Sequence, residues 1–439
     1  MSSKLKNKEK RKQKKIEQRK IQEKVNQLRR EQENAKFLEL AKEQLVNENK
    51  MVDKIHTSVA TGVVNYIADR NGCGYYRCIW PFELLATYKK VTTMNSYVHL
   101  FDPSYLKSVK CIRFQRQATD LQRQAWDKYL DMREKYGFKY KLIYELDDHL
   151  LNIEKNNVVA HKYFDEIKKQ NCLYMMKSSD RVCFSTDRLK KIYVDDYGLD
   201  ADKIMVVKNT LCQFLYNLPP RVKVRPFYTP VTDKEGKPVM VEGEPMFGNR
   251  PRVMWSGSAS HVGPGGDLEF IISLVEKTIN EYQWVFQGVI PDQLKHYVNE
   301  GRIEFHNWAP CYGLPNIQFY ICRPDIILAP LKYTPDTQFN QCKSNLKLLE
   351  GCALGAPVIC SSFEEHGDKS PYDISAPDLS VCIENDVDIW KSAIDALVKD
   401  PVAYMGVVQS GYKFLNSGHW MENNLSEWLD SITFPDDAV

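Results

Sequence analysis

The sequence predicts an α/β protein built on parallel sheets. Two observations carry this. First, from residue 62 onward short apolar runs alternate with stretches of helical spacing. The runs lie at 62–68, 96–100, 111–115 and 141–146, and a helical pattern at 119–136 separates two of them; such alternation gives a parallel sheet. Second, a new series of runs opens at residue 252 and continues at 284–288, 303–306, 325–328 and 358–360, after a Pro219-Pro220 break. A chain of 439 residues has room for about two or three domains.

Taken in order, residues 1–53 form a basic extension, rich in Lys, Arg, Gln and Glu and lacking Pro and Gly. Helix formers dominate it, and Ile21, Val25 and Leu28 keep i, i+4, i+7 spacing. It reads as a solvated helical or disordered tail, or as an arm whose cations displace counterions from nucleic-acid phosphates. A membrane-surface helix fits less well, because the basic part has no bulky apolar face.

Residues 54–216 form the first globular unit. A strand at 62–68 leads into Asp69-Arg70-Asn71-Gly72-Cys73-Gly74-Tyr75-Tyr76-Arg77 and then an apolar helix. Gly72 and Gly74 let backbone approach a ligand, or simply make a tight turn. The strand at 141–146 ends in Asp147-Asp148-His149, at the strand terminus where function collects in open α/β sheets. Asp147 and Asp148 therefore have either a cleft role or a helix-capping role. Apolar runs at 181–184 and 203–207 complete the unit. Residues 217–250 are a linker in which 227–231 and 239–241 flank Lys234-Glu235-Gly236, a β-hairpin pattern.

The second unit, 251–410, opens with Arg252-Val253-Met254-Trp255-Ser256-Gly257-Ser258 and His261. Small residues after a strand allow phosphates to approach backbone N–H groups. Trp308 and Tyr312 lie in a later loop, either as partly buried aromatics or as a stacking platform. The most informative stretch is 325–360. Ile326-Ile327-Leu328 fits a buried strand, and a helix is predicted over about 343–354 from Leu346, Leu349 and Ala353 at i, i+3, i+7. Gly355 caps it and Pro357 forbids its continuation. Lys343 thus sits near a helix N-terminus at the carboxyl end of a strand, where anions bind, and Glu350 faces the same cleft two turns on. Taken alone, Lys343 could equally be a solvated lysine. Residues 411–439 end the chain in a helix carrying Trp420 and Trp428.

The block Phe339-Asn340-Gln341-Cys342-Lys343-Ser344-Asn345-Leu346-Lys347-Leu348-Leu349-Glu350, with the Trp255–Ser258 turn, resembles the donor-binding elements of GT-B glycosyltransferases of family 4. The resemblance implies two Rossmann-like domains facing a central cleft, with the last helix crossing back to the first domain. It implies a nucleoside diphosphate sugar as donor, a UDP-sugar foremost, transfer to a hydroxyl with retention, and no metal or other cofactor. By the same resemblance Lys343 stabilises the departing diphosphate and Glu350 holds the ribose. Ser256, Gly257, Ser258, Asn345 and an aromatic at Trp308 or Tyr312 contact the donor. The family often carries a further glutamate where this chain has Cys342, so Asn340 or Ser344 is expected to take over part of the sugar contact. Gly72, Gly74, Arg77 and Asp147 would line the cleft. Asp148 and His149 are the candidates for proton transfer.

The segments 112–119 (with Arg113 and Arg116) and 144–148 also resemble glycosyltransferases of large tailed phages, some of which modify hydroxymethylated bases in DNA. A DNA acceptor, reached through the basic arm, is one expectation. Polysaccharide or protein acceptors are another, and a non-catalytic nucleic-acid-binding scaffold a third. The net charge of +3 is small. No apolar run is long enough to span a membrane, and the charged N-terminus does not resemble a secretory signal. The twelve cysteines form no CxxC pair and no zinc spacing, which fits a reducing cytoplasm.

Overall fold

The structure, a computed structural model, describes residues 62–70, 72–89, 91–216, 231–232, 238–239, 250–262, 266–307, 322–373 and 381–435. The basic extension, Trp308 and Tyr312 lie outside the described residues.

The first lobe is a six-stranded sheet of β1 (Gly62–Tyr66), β2 (Thr93–Ser96), β3 (Val109–Gln115), β4 (Lys141–Leu146), β5 (Arg181–Phe184) and β6 (Ile204–Val206). Their order is β2-β1-β3-β4-β5-β6, and every pairing is parallel. In β4 every residue after Lys141 is buried, as a strand covered on both faces requires. The helix Asp120–Tyr136 starts at a capping box between Thr119 and Gln122. It buries Ala125, Trp126, Tyr129 and Met132, an i, i+1, i+4, i+7 stripe against the sheet.

Two short strands, β7 (Val231–Thr232) and β8 (Pro238–Val239), pair antiparallel within the linker. The second lobe comprises β9 (Arg252–Gly257), β10 (Gln283–Gly288), β11 (Ile303–His306), β12 (Ile326–Ala329), β13 (Val358–Ser361) and β14 (Val381–Ile383). Their order is β11-β10-β9-β12-β13-β14, again all parallel.

Two local expectations are corrected. The second strand lies at Thr93–Ser96 rather than 96–100, because these residues pair with Val63–Tyr66, leaving Tyr97 and Val98 exposed. The glycine segment is not an extended loop. Gly72 begins a helical stretch that continues through a π-turn, Tyr75–Ile79, into the helix Trp80–Lys89.

The chain's end ties the lobes together. After the helix Pro401–Phe414 and the turn Leu415–His419, Trp420 bridges to Leu211. The helix Leu425–Asp430 then packs on Trp80–Lys89. Trp428 is fully buried, edge-on to Phe82 and 4.8 Å from the Arg77 guanidinium. Arg181 donates to the carbonyls of Asp430 and Thr433. One apolar cluster consequently runs from Val63 and Phe82 through Trp428 to Ile327 and Leu348.

Candidate active site in the interlobe cleft

After β12 the chain makes a one-turn 3-10 helix, Asn340–Cys342, and Lys343 is then extended (φ −64°, ψ 157°). The following helix spans Leu346–Leu354, with Asn345 at its N-cap and Gly355 in the left-handed conformation at its end. It begins three residues later than the apolar spacing predicts, because the extended Lys343 belongs to the loop. Lys343 Nζ lies 3.6 Å from Asp148 Oδ1 of the first lobe and 4.6 Å from the Phe339 ring centroid. Glu350, one helical turn beyond Leu346, is buried and accepts a 2.8 Å hydrogen bond from the Tyr76 hydroxyl.

The end of β9 forms the adjoining wall. A Cβ on Gly257 would stand 2.3 Å from the Trp255 ring, so only glycine fits this turn. Lys347 donates to the Ser256 carbonyl and lies 5.7 Å from the Trp255 ring centroid. His261 Nδ1 is 2.5 Å from Asp267 Oδ2, while Asp267 Oδ1 accepts from the Lys332 backbone and the Asn340 amide. Asp267 therefore holds the imidazole with Nδ1 as its donor, and His261 lines the cleft.

The first lobe contributes the ends of β3 and β4 and the start of the glycine helix. Arg116, with a left-handed φ of 50°, brings Nη1 to 2.9 Å from Cys73 Sγ and 3.8 Å from both Asp147 and Asp148. Cys73, Asp147 and Asp148 place ligand atoms within 4.8 Å of one another and are a grouping able to hold a metal ion among the described residues. The Arg116 guanidinium stands beside that same trio, so an incoming divalent ion would meet a resident cation.

These groups line an open cavity of about 300 Å³ between the lobes. Three cations, Arg116, Lys343 and Lys347, face three carboxylates, Asp147, Asp148 and Glu350. Burial works to raise the Asp148 pKa, yet Lys343 and Arg116 outweigh it and hold this carboxyl below its usual range. Burial wins at Asp147, where Arg116 opposes it and Asp148 reinforces it, and that carboxyl moves upward. The adjacent carboxyls are thus shifted in opposite directions. Burial also raises Glu350, against Lys347 and the Tyr76 bond, and lowers Lys347 and His261.

Of the residues picked out from sequence, the cavity collects Gly72, Asp147, Asp148, Ser256, Ser258, Lys343, Ser344 and Glu350. Others lie elsewhere. Arg77, expected to reach an anionic ligand, is fully buried. Its Nε is 2.7 Å from Glu145, and its Nη1 donates to the Val207 carbonyl and to Asn209 Oδ1. Arg113 is likewise inaccessible, paired with the other Glu145 oxygen at 2.7 Å. His149 is no proton shuttle in this geometry. It packs against Tyr193 and Tyr197, and burial lowers its pKa to about 4. A Cβ on Gly74 would stand 1.8 Å from the Asp69 carbonyl, so this glycine serves a close backbone approach within the lobe. Asn340 donates from its amide to Asp267 and the Lys332 carbonyl and does not line the cavity. Asn345 lines a neighbouring cavity that shares Lys343 and Ser344 with the cleft.

Sequence reasoning missed Lys347, Tyr76 and the His261–Asp267 pair as site residues, and singled out Arg116 only beside Arg113, as a cation suited to a DNA acceptor. Lys347 carried a signal, since it stands four positions after Lys343 beside the same helix start. What brings Arg116 rather than Arg113 into the cavity is its left-handed backbone, visible only in the fold.

No protein-family model and no curated protein matches the sequence. Solved structures do match the fold. A glycosyltransferase from Rickettsia africae aligns over 85% of this chain and 97% of its own, at 15% identity and a TM-score of 0.50. Anabaena HepE, solved in complex with UDP-glucose, aligns over 84% of this chain and 99% of its own, at 11% identity and a TM-score of 0.55. HepE solved in complex with UDP aligns over 85% of this chain, at 9% identity and a TM-score of 0.54. With its two six-stranded parallel sheets facing a common cleft, the chain has the GT-B fold of two Rossmann-like domains.

Proposed function

We propose that this protein transfers a hexosyl or pentosyl group from a UDP-sugar to a hydroxyl acceptor with retention, as a phage-type family 4 enzyme. The observation that carries the reading is Lys343: an ammonium group beside a helix N-terminus, turned into an open interlobe cleft and opposed there by a carboxylate of the other lobe. The UDP moiety is favoured because HepE, of the same fold, was solved with UDP and with UDP-glucose. Retention rests on the family resemblance of the 339–350 block.

In this scheme the bond between the anomeric carbon and the diphosphate oxygen breaks, and the acceptor oxygen bonds to that carbon. Negative charge grows on the departing diphosphate. Lys343, the N-terminus of Leu346–Leu354 and the Ser256–Ser258 turn meet it without the help of a metal. Glu350 accepts from the ribose hydroxyls. As the diphosphate draws Lys343 away from Asp148, that carboxylate loses its strongest opposing cation and becomes more basic. Asp148 is then placed on the acceptor side to take the hydroxyl proton.

For the acceptor we put forward a hydroxymethylated base in phage DNA, supported by the resemblance at 112–119 and 144–148 and by the basic residues of 1–53. The base would be flipped into the cleft beside Arg116. Burial of Arg113 removes it from this role. The test is a panel of nucleotide sugars incubated with hydroxymethylated DNA, plain DNA and buffer alone, with mass detection. A sugar-mass gain confined to hydroxymethylated DNA is the expected result. Donor hydrolysis with no DNA product would redirect the acceptor to polysaccharide or protein. DNA binding with no donor turnover would leave a non-catalytic scaffold.

A further inference from the structure

Two consecutive residues of the first lobe, Tyr76 and Arg77 in the π-turn, reach the donor motif of the second lobe by separate routes. Tyr76 donates directly to Glu350 Oε1 at 2.8 Å, with the Tyr216 hydroxyl 2.9 Å behind it. Arg77 acts through Asn209. Its Nη1 donates to Asn209 Oδ1 at 2.9 Å, and Asn209 Nδ2 donates to Ser344 Oγ at 2.9 Å. The amide orientation is forced, because a guanidinium has only donors and can face only the Asn209 oxygen. The NH2 group must therefore point across the cleft to Ser344. Arg77 itself cannot shift, being fully buried against Glu145 and the Val207 carbonyl.

We propose that this pair of contacts is an interlobe grip, in which Tyr76 and Asn209 are positioning residues that set Glu350 and the Lys343–Ser344 loop for the nucleotide. The grip rests on the reading of Glu350 and Lys343 as donor-binding groups. Its physical logic is preorganisation. Glu350 is at the end of a long side chain on a helix that offers it Lys347 alone among charged neighbours, and the Tyr76 hydroxyl selects one carboxylate orientation. The other oxygen is then presented to a diol. Ser344 follows Lys343 directly, so anchoring its hydroxyl fixes the backbone from which the ammonium extends. Both contacts join groups of the two lobes, so the acceptor lobe helps determine donor affinity.

The test is UDP binding by calorimetry, with thermal melts, on the full chain and on Tyr76→Phe, Asn209→Leu, Asn209→Asp, Ser344→Ala and the Asn209→Leu/Ser344→Ala double variant. Tyr76→Phe and Asn209→Leu should each weaken UDP about fivefold to tenfold, the worth of one buried hydrogen bond. Asn209→Asp should stay within about twofold of the parent, because its carboxylate still faces Arg77 and Ser344 can rotate to donate. The double variant should bind no more weakly than its weaker single. Should Asn209→Leu fail to fold, Tyr76→Phe, Asn209→Asp and Ser344→Ala retain the test. Parental affinity in Tyr76→Phe and Ser344→Ala, or full additivity in the double variant, would overturn the grip while leaving the donor reading intact. Failure of the parent itself to bind UDP would overturn the donor reading, and the grip with it.

Discussion

Lys343 of the second lobe and Asp148 of the first approach to 3.6 Å across the cleft, each less than one quarter exposed. On the proposed function, the contact joins the cation that would meet a diphosphate to the carboxylate that would meet an acceptor hydroxyl. In the absence of nucleotide each neutralises the other. On the proposed function, a diphosphate carries more charge than one carboxylate and would compete for the ammonium, so donor arrival would exchange one anionic partner for another rather than bring an anion to an unpaired cation.

Replacing Lys343 by Ala should lower turnover by about two to three orders of magnitude, the usual effect of deleting one electrostatic partner of a developing anion. Stability should change by no more than about 1 kcal/mol, since the ion pair is partly exposed and solvent screens it. Initial rates and thermal melts on one preparation check both. Turnover near the parental level would remove Lys343 from the mechanism.

Asp148→Asn should act in opposite directions on binding and chemistry. Without the competing carboxylate Lys343 is free for phosphate, so UDP should bind severalfold more tightly. Turnover should fall by about 10²-fold or more if Asp148 takes the acceptor proton. Calorimetry and steady-state rates separate the effects. Weaker UDP binding would contradict the partner exchange.

Glu350→Gln should weaken UDP by roughly tenfold to a hundredfold, in line with hydrogen bonds to a charged acceptor. The loss should be specific to the ribose. The parent should discriminate against 2′-deoxy-UDP, and the variant should bind both nucleotides alike. Undiminished discrimination in Glu350→Gln would assign the ribose to other residues.

The pH response follows from the shifted carboxyls. Glu350 has a folded pKa raised above 4.5 by burial. UDP affinity should therefore fall on acidification at a pH above the ordinary glutamate range, as this acceptor protonates. In Tyr76→Phe a stabilising bond to the ionised form is lost, and the fall should move to higher pH. Asp148 behaves in the other sense. Its folded pKa is depressed, so its contribution to stability is present above the unfolded value of 3.8 and is lost as pH falls through the lower folded one. Affinity profiles for parent and variant, with melts between pH 2 and 7, read out both groups.

Glu145→Gln should destabilise the fold by about 3–5 kcal/mol. Glu145 is fully buried between the Arg77 and Arg113 guanidiniums, and removing its charge leaves two buried cations with no carboxylate between them. Urea unfolding measures this. A loss below about 1 kcal/mol would mean that the Trp428 and Phe82 rings, 4.8 Å and 4.4 Å from the two guanidiniums, carry the pair unaided.

What was legible in the sequence was whatever leaves a local periodic or punctuated trace. The apolar runs at β4, β9 and β12, the left-handed stop at Gly355 and the small-residue turn after Trp255 are all local, and each is where its pattern places it. Lys343 and Glu350 were readable because strand, loop and helix fix them relative to one another over a few residues. Arg77, Arg113 and His149 were misjudged for the converse reason. A charged residue at a strand end or helix start reads as a ligand contact, unless a partner distant in sequence is there to neutralise it. Glu145 is 68 residues from Arg77, and the rings beside His149 come from a later helix and the turn that follows it.

The order of residues alone determined two strand–helix series, the small-residue turn after Trp255, and a lysine and a glutamate on either side of one helix start, because backbone geometry converts short spacing directly into position. Only the tertiary structure decided which charges meet: Lys343 with Asp148, Tyr76 with Glu350, Arg77 with Glu145. Those meetings depend on how two sheets and a returning C-terminal helix pack against each other, and packing is decided by the summed burial of surfaces that no local window contains.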